Sequence, residues 1–168
     1  MSRPKKLYEL PADFEIDNSP IQWGKGSPYG WGYDGEVTKE LWKPVTRYRD
    51  LEVVEGYWVS NYCRIYSTIT GDLLSPGKNS VGRPYVMMRC TDGKRHNMLI
   101  YRLVLEAWVK NPLPKLLRGI NHKDGNMYNN RLDNLEYTNQ QANTQHYWKE
   151  IYPHLEESKS KKTGRDNE

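Results

Sequence analysis

The stretch between residues 120 and 148 constrains the fold most, because its pattern changes from strand to loop to strand and then to helix. A short piece at 120–122 is strand-like. The dipeptide Asp124-Gly125 tolerates positive φ and predicts a turn. An asparagine-rich loop then leads to a second extended piece at 135–137. The stretch therefore predicts a strand, a loop and a second strand in close succession.

A helix is predicted to follow the second strand. Thr138 is the expected N-cap, because Gln141 stands three residues later as in a capping box. A strand–loop–strand–helix unit of this length is too small to bury a core of its own. We therefore expect a polar element to stabilise the unit in place of a core, and the best candidate is a metal ion held between the first strand and the helix.

The region upstream predicts a small antiparallel β unit followed by one helix. Its runs of aromatic and β-branched residues are separated by turn signals, of which Asp92-Gly93 is a hairpin signal. Between Leu99 and Val109 the apolar residues instead fall on one helical face, which we interpret as core. The predicted fold class is α+β: a small antiparallel β module plus a helix, then the strand–loop–strand–helix unit, with extended termini. The expected strands are 42–45, 56–60, 64–67, 73–75, 85–90 and 95–98.

Four segments follow from this pattern. Residues 1–41 are an N-terminal extension, 42–120 a basic β module with a helix, 121–150 the strand–loop–strand–helix unit, and 151–168 a charged tail. The extension contains WGKGSPYGWGYDG, whose glycine density predicts no regular structure. Two interpretations of its aromatic residues stay open: a loop that stacks on nucleic acid, or an arm that packs on the main body.

Charge is distributed unevenly along the chain. The net charge is +4, but residues 42–120 hold 13 Lys and Arg against 6 Asp and Glu, a net +7. Such a concentration is typical of a phosphate-binding surface, although an ordinary solvated basic face has the same composition. Cys63 and Cys90 form no CxxC pair, so we expect neither a structural zinc nor a disulfide framework. No apolar run is long enough for a membrane span and no signal peptide is recognisable, which predicts a cytoplasmic protein with no membrane partner.

The 120–148 stretch also carries residues suited to phosphodiester hydrolysis. Asn121 and Asn143 each offer an amide oxygen, the kind of ligand that a hard cation such as Mg²⁺ accepts. His122 is a candidate general base, although in a regular strand it points to the opposite face from Asn121. On the predicted helix, Asn143 and His146 stand at i and i+3 and share a face. Asp124 is a possible further ligand, but its place before glycine favours turn chemistry.

The segments NHKDGN and NNRLDNLEYTNQQAN, followed by His146, resemble the HNH (ββα-metal) endonucleases of the phage and intron homing type. The upstream segments WKP, GYWVSN, RIYS and RLVLEAW resemble the W-x-P, Y-x-V-S-N, G-R-V-x-S and H-R-L-V-A-x-A-F pattern that precedes the motif in that family. The similarity covers residues 40–147. Three positions differ from the usual pattern: Asn121 in place of Asp, Tyr101 in place of His and Cys63 in place of Gly.

The resemblance implies a role for each matching residue. His122 would be the general base, and Asn121 and Asn143 would bind a divalent metal, Mg²⁺ or Mn²⁺. Asn134 would tie the loop to the backbone, and His146 would lie near the metal or the scissile phosphate. Asn121, a neutral amide, binds a cation less strongly than a carboxylate.

The predicted function is a metal-dependent HNH endonuclease that nicks or cuts DNA, acting as a monomer in the cytoplasm, or in the host cytoplasm if a phage encodes it. The alternative is a DNA-binding accessory protein that keeps the fold without catalysis. Phosphate contacts give such proteins affinity without sequence reading. The expected DNA-contacting residues are Arg64, Lys78, Arg83, Arg89, Lys94, Arg95, Arg102 and Arg131.

Overall fold

The computed structural model of this chain describes residues 7–155 and 157. The basic segment 1–6 and most of the predicted charged tail, residue 156 and residues 158–168, lie outside the described part. The strands are β1 (Gln22–Trp23), β2 (Lys25–Gly26), β3 (Trp31–Gly32), β4 (Trp42–Pro44), β5 (Arg47–Tyr48), β6 (Leu51–Glu52), β7 (Tyr57–Ser60), β8 (Ile65–Ser67), β9 (Asp72–Leu73), β10 (Gly77–Lys78), β11 (Pro84–Arg89), β12 (Arg95–Leu99), β13 (Val109–Lys110), β14 (Gly119–His122) and β15 (Leu135–Thr138). The helices are α1 (Ile100–Trp108) and α2 (Gln140–His146), with a 3₁₀ turn at Leu132–Asn134 and a π-helical turn at Tyr147–Ile151.

The predicted α+β class is confirmed. Strands β4, β7, β8 and β9 form one antiparallel sheet, and β10, β11 and β12 form another. The β11–β12 hairpin turns at Asp92-Gly93 as expected, with Gly93 at φ 82°. The β7–β8 turn holds Cys63 at φ 67°, a conformation that glycine adopts with less strain.

Helix α1 is the centre of the core. Its stripe of Leu103, Val104, Leu105 and Trp108 is at most 2% exposed. Burying each of these side chains stabilises the fold by about 1.5–3 kcal/mol. The helix contacts β7, β11 and β12, and it also contacts β15 and the 3₁₀ turn of the 120–148 unit. It thereby gives that unit the apolar support that its own length cannot provide.

The N-terminal segment does form regular structure, and the expectation that its glycines would prevent this was wrong. Strands β14 and β15 pair as predicted, and the β2–β3 hairpin extends their sheet in the order β14-β15-β3-β2. The glycines permit close backbone approach. A Cβ on Gly30 would lie 2.0 Å from the carbonyl oxygen of Tyr137, and one on Gly24 would lie 2.1 Å from that of Gly32. Only glycine allows these strands to meet at this distance.

The segment before the hairpin also packs on the main body. The ring of Phe14 stacks on Trp42 with a centroid distance of 4.1 Å. Asp17 accepts a hydrogen bond of 2.9 Å from Trp108 Nε1 and lies 3.9 Å from Lys43 Nζ. Trp23, by contrast, stays 66% exposed. The aromatic residues of the segment therefore divide between packing and exposure.

The start of α2 differs from the prediction. Asn139 caps the helix, its Oδ1 accepting a 2.7 Å hydrogen bond from the backbone N–H of Ala142. Thr138 instead ends β15 and donates its hydroxyl to the carbonyl oxygen of Tyr29, 2.7 Å away. Asparagine is at least as good a cap as threonine, and the N-terminal hairpin takes the threonine hydroxyl. None of the helices described in residues 7–155 and 157 is long and apolar enough to cross a membrane.

Candidate active site

A cleft of about 550 Å³ opens where β14, the following turn and α2 meet. Four of the five residues predicted for the site line it, namely Asn121, His122, Asn143 and His146. The fifth, Asn134, holds the loop between β14 and β15 through hydrogen bonds. Asn121 and His122 are neighbours on β14 and both line the cleft, although their side chains contact different elements.

His122 is held on the side of α1. It is 8% exposed, its Nε2 lies 2.7 Å from Asn130 Oδ1, and its ring meets the ring of Tyr101 edge-on at 5.4 Å. An amide oxygen only accepts, so this contact puts the proton on Nε2 and leaves Nδ1 as the basic nitrogen. Burial lowers the pKa of His122 below its ordinary 6.5; the charge of Arg83 acts in the same direction, against the hydrogen bond to Asn130. The imidazole is therefore neutral at pH 7, as a general base requires.

Asn121 is held on the side of α2. Its Nδ2 donates to Glu136 Oε1 at 2.9 Å and lies 3.2 Å from His146 Nδ1. Asn121 and His146 are each 5% exposed. In residues 7–155 and 157, no hydrogen bond occupies the Oδ1 of Asn121. Asn121 of β14 is thus in hydrogen-bond contact with both β15 and α2.

Asn143 lies one helical turn before His146 and is exposed at the cleft. The part of the chain that the structure describes offers its side chain no hydrogen-bond partner. Residues at i and i+3 share a helix face, as the sequence predicted. The amide of Asn143 and the imidazole of His146 therefore lie on the same wall of the cleft.

Asn134 ties the loop together. Its Nδ2 donates to Asp124 Oδ1 at 2.9 Å and to the carbonyl oxygen of Asn129 at 2.8 Å, and its Oδ1 accepts from the backbone N–H of Asp124 at 3.1 Å. Asp124 is thus engaged in turn chemistry. Burial alone would raise the pKa of Asp124, but hydrogen bonds from Asn129, Asn126 and Asn134 lower it by more. The net pKa therefore lies below 3.8, and the carboxylate is charged at neutral pH.

The sequence interpretation missed Glu136, Ser27 and Tyr29. Glu136 is 1% exposed and accepts a 2.6 Å hydrogen bond from Ser27 Oγ. The ring of Tyr29 meets the ring of His146 at 4.8 Å, and its hydroxyl donates to Glu150 at 3.1 Å. Ser27 and Tyr29 lie far away in sequence, and Glu136 stands in a short predicted strand before a helix, where a glutamate is ordinarily exposed. The sequence therefore carried no signal for these three residues.

Comparisons with known proteins place HNH endonucleases among the proteins similar to this chain. No family model matches the chain. It is 32% identical over 114 residues to a protein of Acanthamoeba polyphaga mimivirus described as an uncharacterized HNH endonuclease, covering 68% of this chain and 27% of that protein. A second such mimivirus protein is 31% identical over 103 residues, covering 61% of this chain and 30% of the other. The chain thus spans less than a third of the curated relatives that it matches.

The fold matches the HNH homing endonuclease I-HmuI, from a structure concerned with its DNA binding and cleavage. The TM-score is 0.54 at 25% identity, covering 72% of this chain and 67% of the other. The chain belongs to the HNH endonuclease family. The predicted family resemblance is therefore confirmed. The unit formed by β14, β15 and α2 carries the segments that resemble the HNH motif.

The donor atoms of the HNH motif fit a hard divalent cation. Asn121 and Asn143 line the cleft and each carries an amide oxygen, and Mg²⁺ needs only one or two protein oxygens because it keeps several waters. Throughout residues 7–155 and 157, no three His, Cys, Asp or Glu side chains group closely enough to hold a metal. The candidate metal site of this HNH chain therefore depends on amides.

The predicted DNA-contacting residues of the HNH chain fall into two groups. Lys78, Lys94 and Arg95 are exposed, Arg89 is half-buried on β11, and Arg83 lines the cleft with its Nη1 donating to Tyr101 at 2.9 Å. These five side chains lie at or near the surface of the β module and the cleft.

The other three residues are engaged within the protein. Arg64 makes two 2.7 Å hydrogen bonds to Glu40, and Arg131 donates to the carbonyl oxygen of Val37 at 3.2 Å. Arg102 is 8% exposed and donates to Glu106 and to the carbonyl oxygen of Arg118. A larger cavity of about 850 Å³ is lined by four cations that the sequence interpretation did not select, Arg47, Arg49, Lys110 and Arg118.

Proposed function

We propose that this chain is a metal-dependent HNH endonuclease that hydrolyses phosphodiester bonds in DNA, by a nick or a double-strand cut. The observation that supports this most is the shared cleft, which is lined by a buried neutral imidazole, His122, and by two amide side chains, Asn121 and Asn143. A general base and ligands for a hard cation are what hydrolysis of a phosphodiester requires.

The residues take separate roles in this proposal. His122 accepts through Nδ1 the proton of the water that attacks phosphorus. Asn121 and Asn143 would hold the cation, Mg²⁺ or Mn²⁺, through their amide oxygens. When bound, a divalent cation neutralises phosphate charge and stabilises the departing oxygen. His146 presents Nε2 to a phosphate oxygen as a hydrogen-bond donor. The family resemblance implies a 5′-phosphate product with a free 3′ hydroxyl.

Exposed cations supply the affinity for DNA. Lys78, Lys94 and Arg95 are free to contact the phosphate backbone, and Arg83 is placed to contact the phosphate in the cleft. Such contacts give affinity without sequence reading and weaken steeply with salt. We expect binding to fall by orders of magnitude between low and physiological salt; a flat response would refute a phosphate-tracking surface.

The decisive experiment is a plasmid assay. Supercoiled DNA is incubated with Mg²⁺ or Mn²⁺ and with wild type, His122→Ala or His96→Ala. His96 is the matched control, because it is partly exposed on β12 and pairs with Asp92 at 2.7 Å, apart from the cleft. We expect relaxed or linear DNA with wild type and the control, and at least about a hundredfold slower conversion with His122→Ala. Nicks that DNA ligase seals directly would support a 5′-phosphate product.

A non-catalytic DNA-binding protein is the second candidate. The neutral amides at the cation site favour it, because they bind a cation less strongly than carboxylates do. Under this alternative, wild type shifts DNA on a gel but leaves supercoiled plasmid intact with both ions. That result would refute the endonuclease proposal.

A further inference from the structure

Glu136 is a buried carboxylate with a specific set of partners. It is 1% exposed, and among the residues that the structure describes no Lys, Arg or His lies within ion-pair distance of it. A buried charge without a cation is unfavourable unless hydrogen bonds or a metal compensate. Its two oxygens accept from Asn121 Nδ2 at 2.9 Å and from Ser27 Oγ at 2.6 Å. The carboxylate is therefore satisfied by neutral donors, one of which is a candidate metal ligand.

The carboxylate decides how the amide of Asn121 is oriented. Carboxylate oxygens only accept, so the side of the amide that faces Glu136 has to be Nδ2. The Oδ1 atom is then on the other edge of the amide, and no hydrogen bond in residues 7–155 and 157 engages it. Asn121 lines the cleft. Glu136 thus leaves the amide oxygen available to a ligand.

The same contact decides the tautomer of His146. The Nδ2 group of Asn121 has two hydrogens; one goes to Glu136 and the other faces His146 Nδ1 at 3.2 Å. His146 Nδ1 therefore accepts, and the imidazole proton resides on Nε2. A chain of hydrogen bonds runs from Ser27 through Glu136 and Asn121 to His146.

The N-terminal hairpin builds the beginning of this chain. The turn between β2 and β3 carries Ser27, and its backbone N–H bonds to the carbonyl oxygen of Gly30 at 2.6 Å. The next aromatic residue, Tyr29, packs its ring on His146. The hairpin therefore contacts both ends of the chain that crosses the candidate site.

We propose that Glu136, held by Ser27, is a positioning residue of the candidate active site: it directs the Asn121 amide oxygen to the cleft, fixes the tautomer of His146, and adds the negative charge that two neutral amides lack. The inference rests on the proposed function. It makes the N-terminal hairpin part of the nuclease site and provides a carboxylate near the cation without a carboxylate at position 121. Partners of this kind behind metal ligands typically change metal affinity by about 10–100-fold.

The charge is tested with Glu136→Gln. Glutamine keeps one acceptor oxygen but removes the charge. We expect Mn²⁺ affinity of the full chain without DNA, measured by calorimetry, to fall about tenfold or more, with His146 still on a single tautomer. The control is Glu106→Gln, which removes a carboxylate bonded to Arg102 and away from this cleft. Unchanged Mn²⁺ affinity in Glu136→Gln, or no Mn²⁺ binding by wild type, would refute the contribution of charge.

The positioning is tested with Glu136→Met and Ser27→Ala. NMR shifts of the imidazole nitrogens report the tautomer of His146 directly. We expect one tautomer in wild type, a mixture in Glu136→Met and a smaller change in Ser27→Ala. Ser27 is exposed, so its variant folds even if Glu136→Met does not. The control is Ser19→Ala, which removes a matched hydroxyl bond of 2.5 Å to Asp17.

The two proposals fail separately. A wild-type chain that cuts no DNA refutes the endonuclease alone, because neither calorimetry nor NMR requires cleavage. If wild type cuts DNA but Ser27→Ala and any folded Glu136→Met keep a single His146 tautomer on Nε2, the positioning role is wrong. A Glu136→Gln variant that lowers kcat together with Mn²⁺ affinity, while leaving KM for DNA unchanged, would support both.

Discussion

Gly30→Ala should detach the N-terminal hairpin from β14 and β15, the other two strands of its sheet. A Cβ at position 30 would lie 2.0 Å from the carbonyl oxygen of Tyr137, and contacts under 3.0 Å essentially do not occur. The two backbones therefore have to separate by about 1 Å, more than a hydrogen bond tolerates. The opposing atom belongs to the backbone of β15, so no side-chain rotation relieves the clash.

The magnitude follows from the bonds that this shift breaks. Thr138 Oγ1 donates to Tyr29 at 2.7 Å, Ser27 Oγ donates to Glu136 at 2.6 Å, and β3 pairs with β15 at Trp31 and Gly32. At about 1 kcal/mol for each net hydrogen bond, we expect a loss of about 2–4 kcal/mol in the free energy of unfolding. Glu136 also loses the hydroxyl that holds it, so plasmid cleavage should fall with stability.

Gly26→Ala is the matched control in the same hairpin. The three atoms nearest to a Cβ there all belong to the ring of Trp31, at 3.5–3.7 Å, which is ordinary contact. Urea unfolding and the plasmid assay are run on wild type and both variants. We expect Gly26→Ala to stay within about 1 kcal/mol of wild type. Equal stability and equal cleavage for the two variants would refute the close approach of the hairpin to β15.

Further predictions concern the arm, the β7–β8 turn and the loop. Burial alone would raise the pKa of Asp17, but hydrogen bonds from Ser19 and Trp108 and the charge of Lys43 bring it below 3.8. The stabilising effect of the carboxylate is therefore present above pH 3.8 and is lost as pH falls through the folded pKa. Asp17→Asn should lower the free energy of unfolding at pH 7 in urea unfolding, and its difference from wild type should narrow at pH 3. Cys63→Gly removes a side chain from φ 67° and should raise stability by about 0.5–1 kcal/mol in the same assay; a loss would show that thiol packing outweighs backbone strain. Asn134→Ala deletes three hydrogen bonds and should cost about 2–3 kcal/mol and slow plasmid cleavage, and unchanged melting would refute its role in tying the loop.

The parts of the fold that were predictable are those governed by local pattern. The apolar stripe of α1 and the hairpin signal at Asp92-Gly93 each depend on neighbouring residues, and both elements are present within a residue or two of their expected bounds. The alternation of strand, loop and strand at 120–137 likewise predicted β14 and β15.

The parts that were not predictable depend on distant partners. Asn139 rather than Thr138 caps α2 because Tyr29, far away in sequence, accepts the threonine hydroxyl. Glycine density ordinarily opposes regular structure, but at Gly30 it permits a backbone contact that no other residue could make. Arg102 lies in a basic region, yet its guanidinium is used by Glu106 and a backbone carbonyl. Sequence pattern contains no information on such contacts.

Similarly, the candidate site was predictable only in part. His122, Asn121, Asn143 and His146 were found because their spacing follows the HNH motif, and the structure brings all four to one cleft. Glu136 could not be singled out, since a glutamate in a short strand before a helix is ordinarily a surface residue. Its importance depends on its pairing with Asn121 across the sheet.

The sheet of β14, β15, β3 and β2 is formed by two widely separated parts of the chain, and this determines when it can form during synthesis. Ser27 and Glu136 are 109 residues apart, whereas the strands of the β module contact near neighbours. Local contacts form first because they close short loops. On the ribosome, the β module and α1 can fold while β14, β15 and α2 are still being made. Strands β2 and β3 can pair with each other by then, but β3 has no β15 to join. The candidate site is thus assembled late, after the β module beside it is in place.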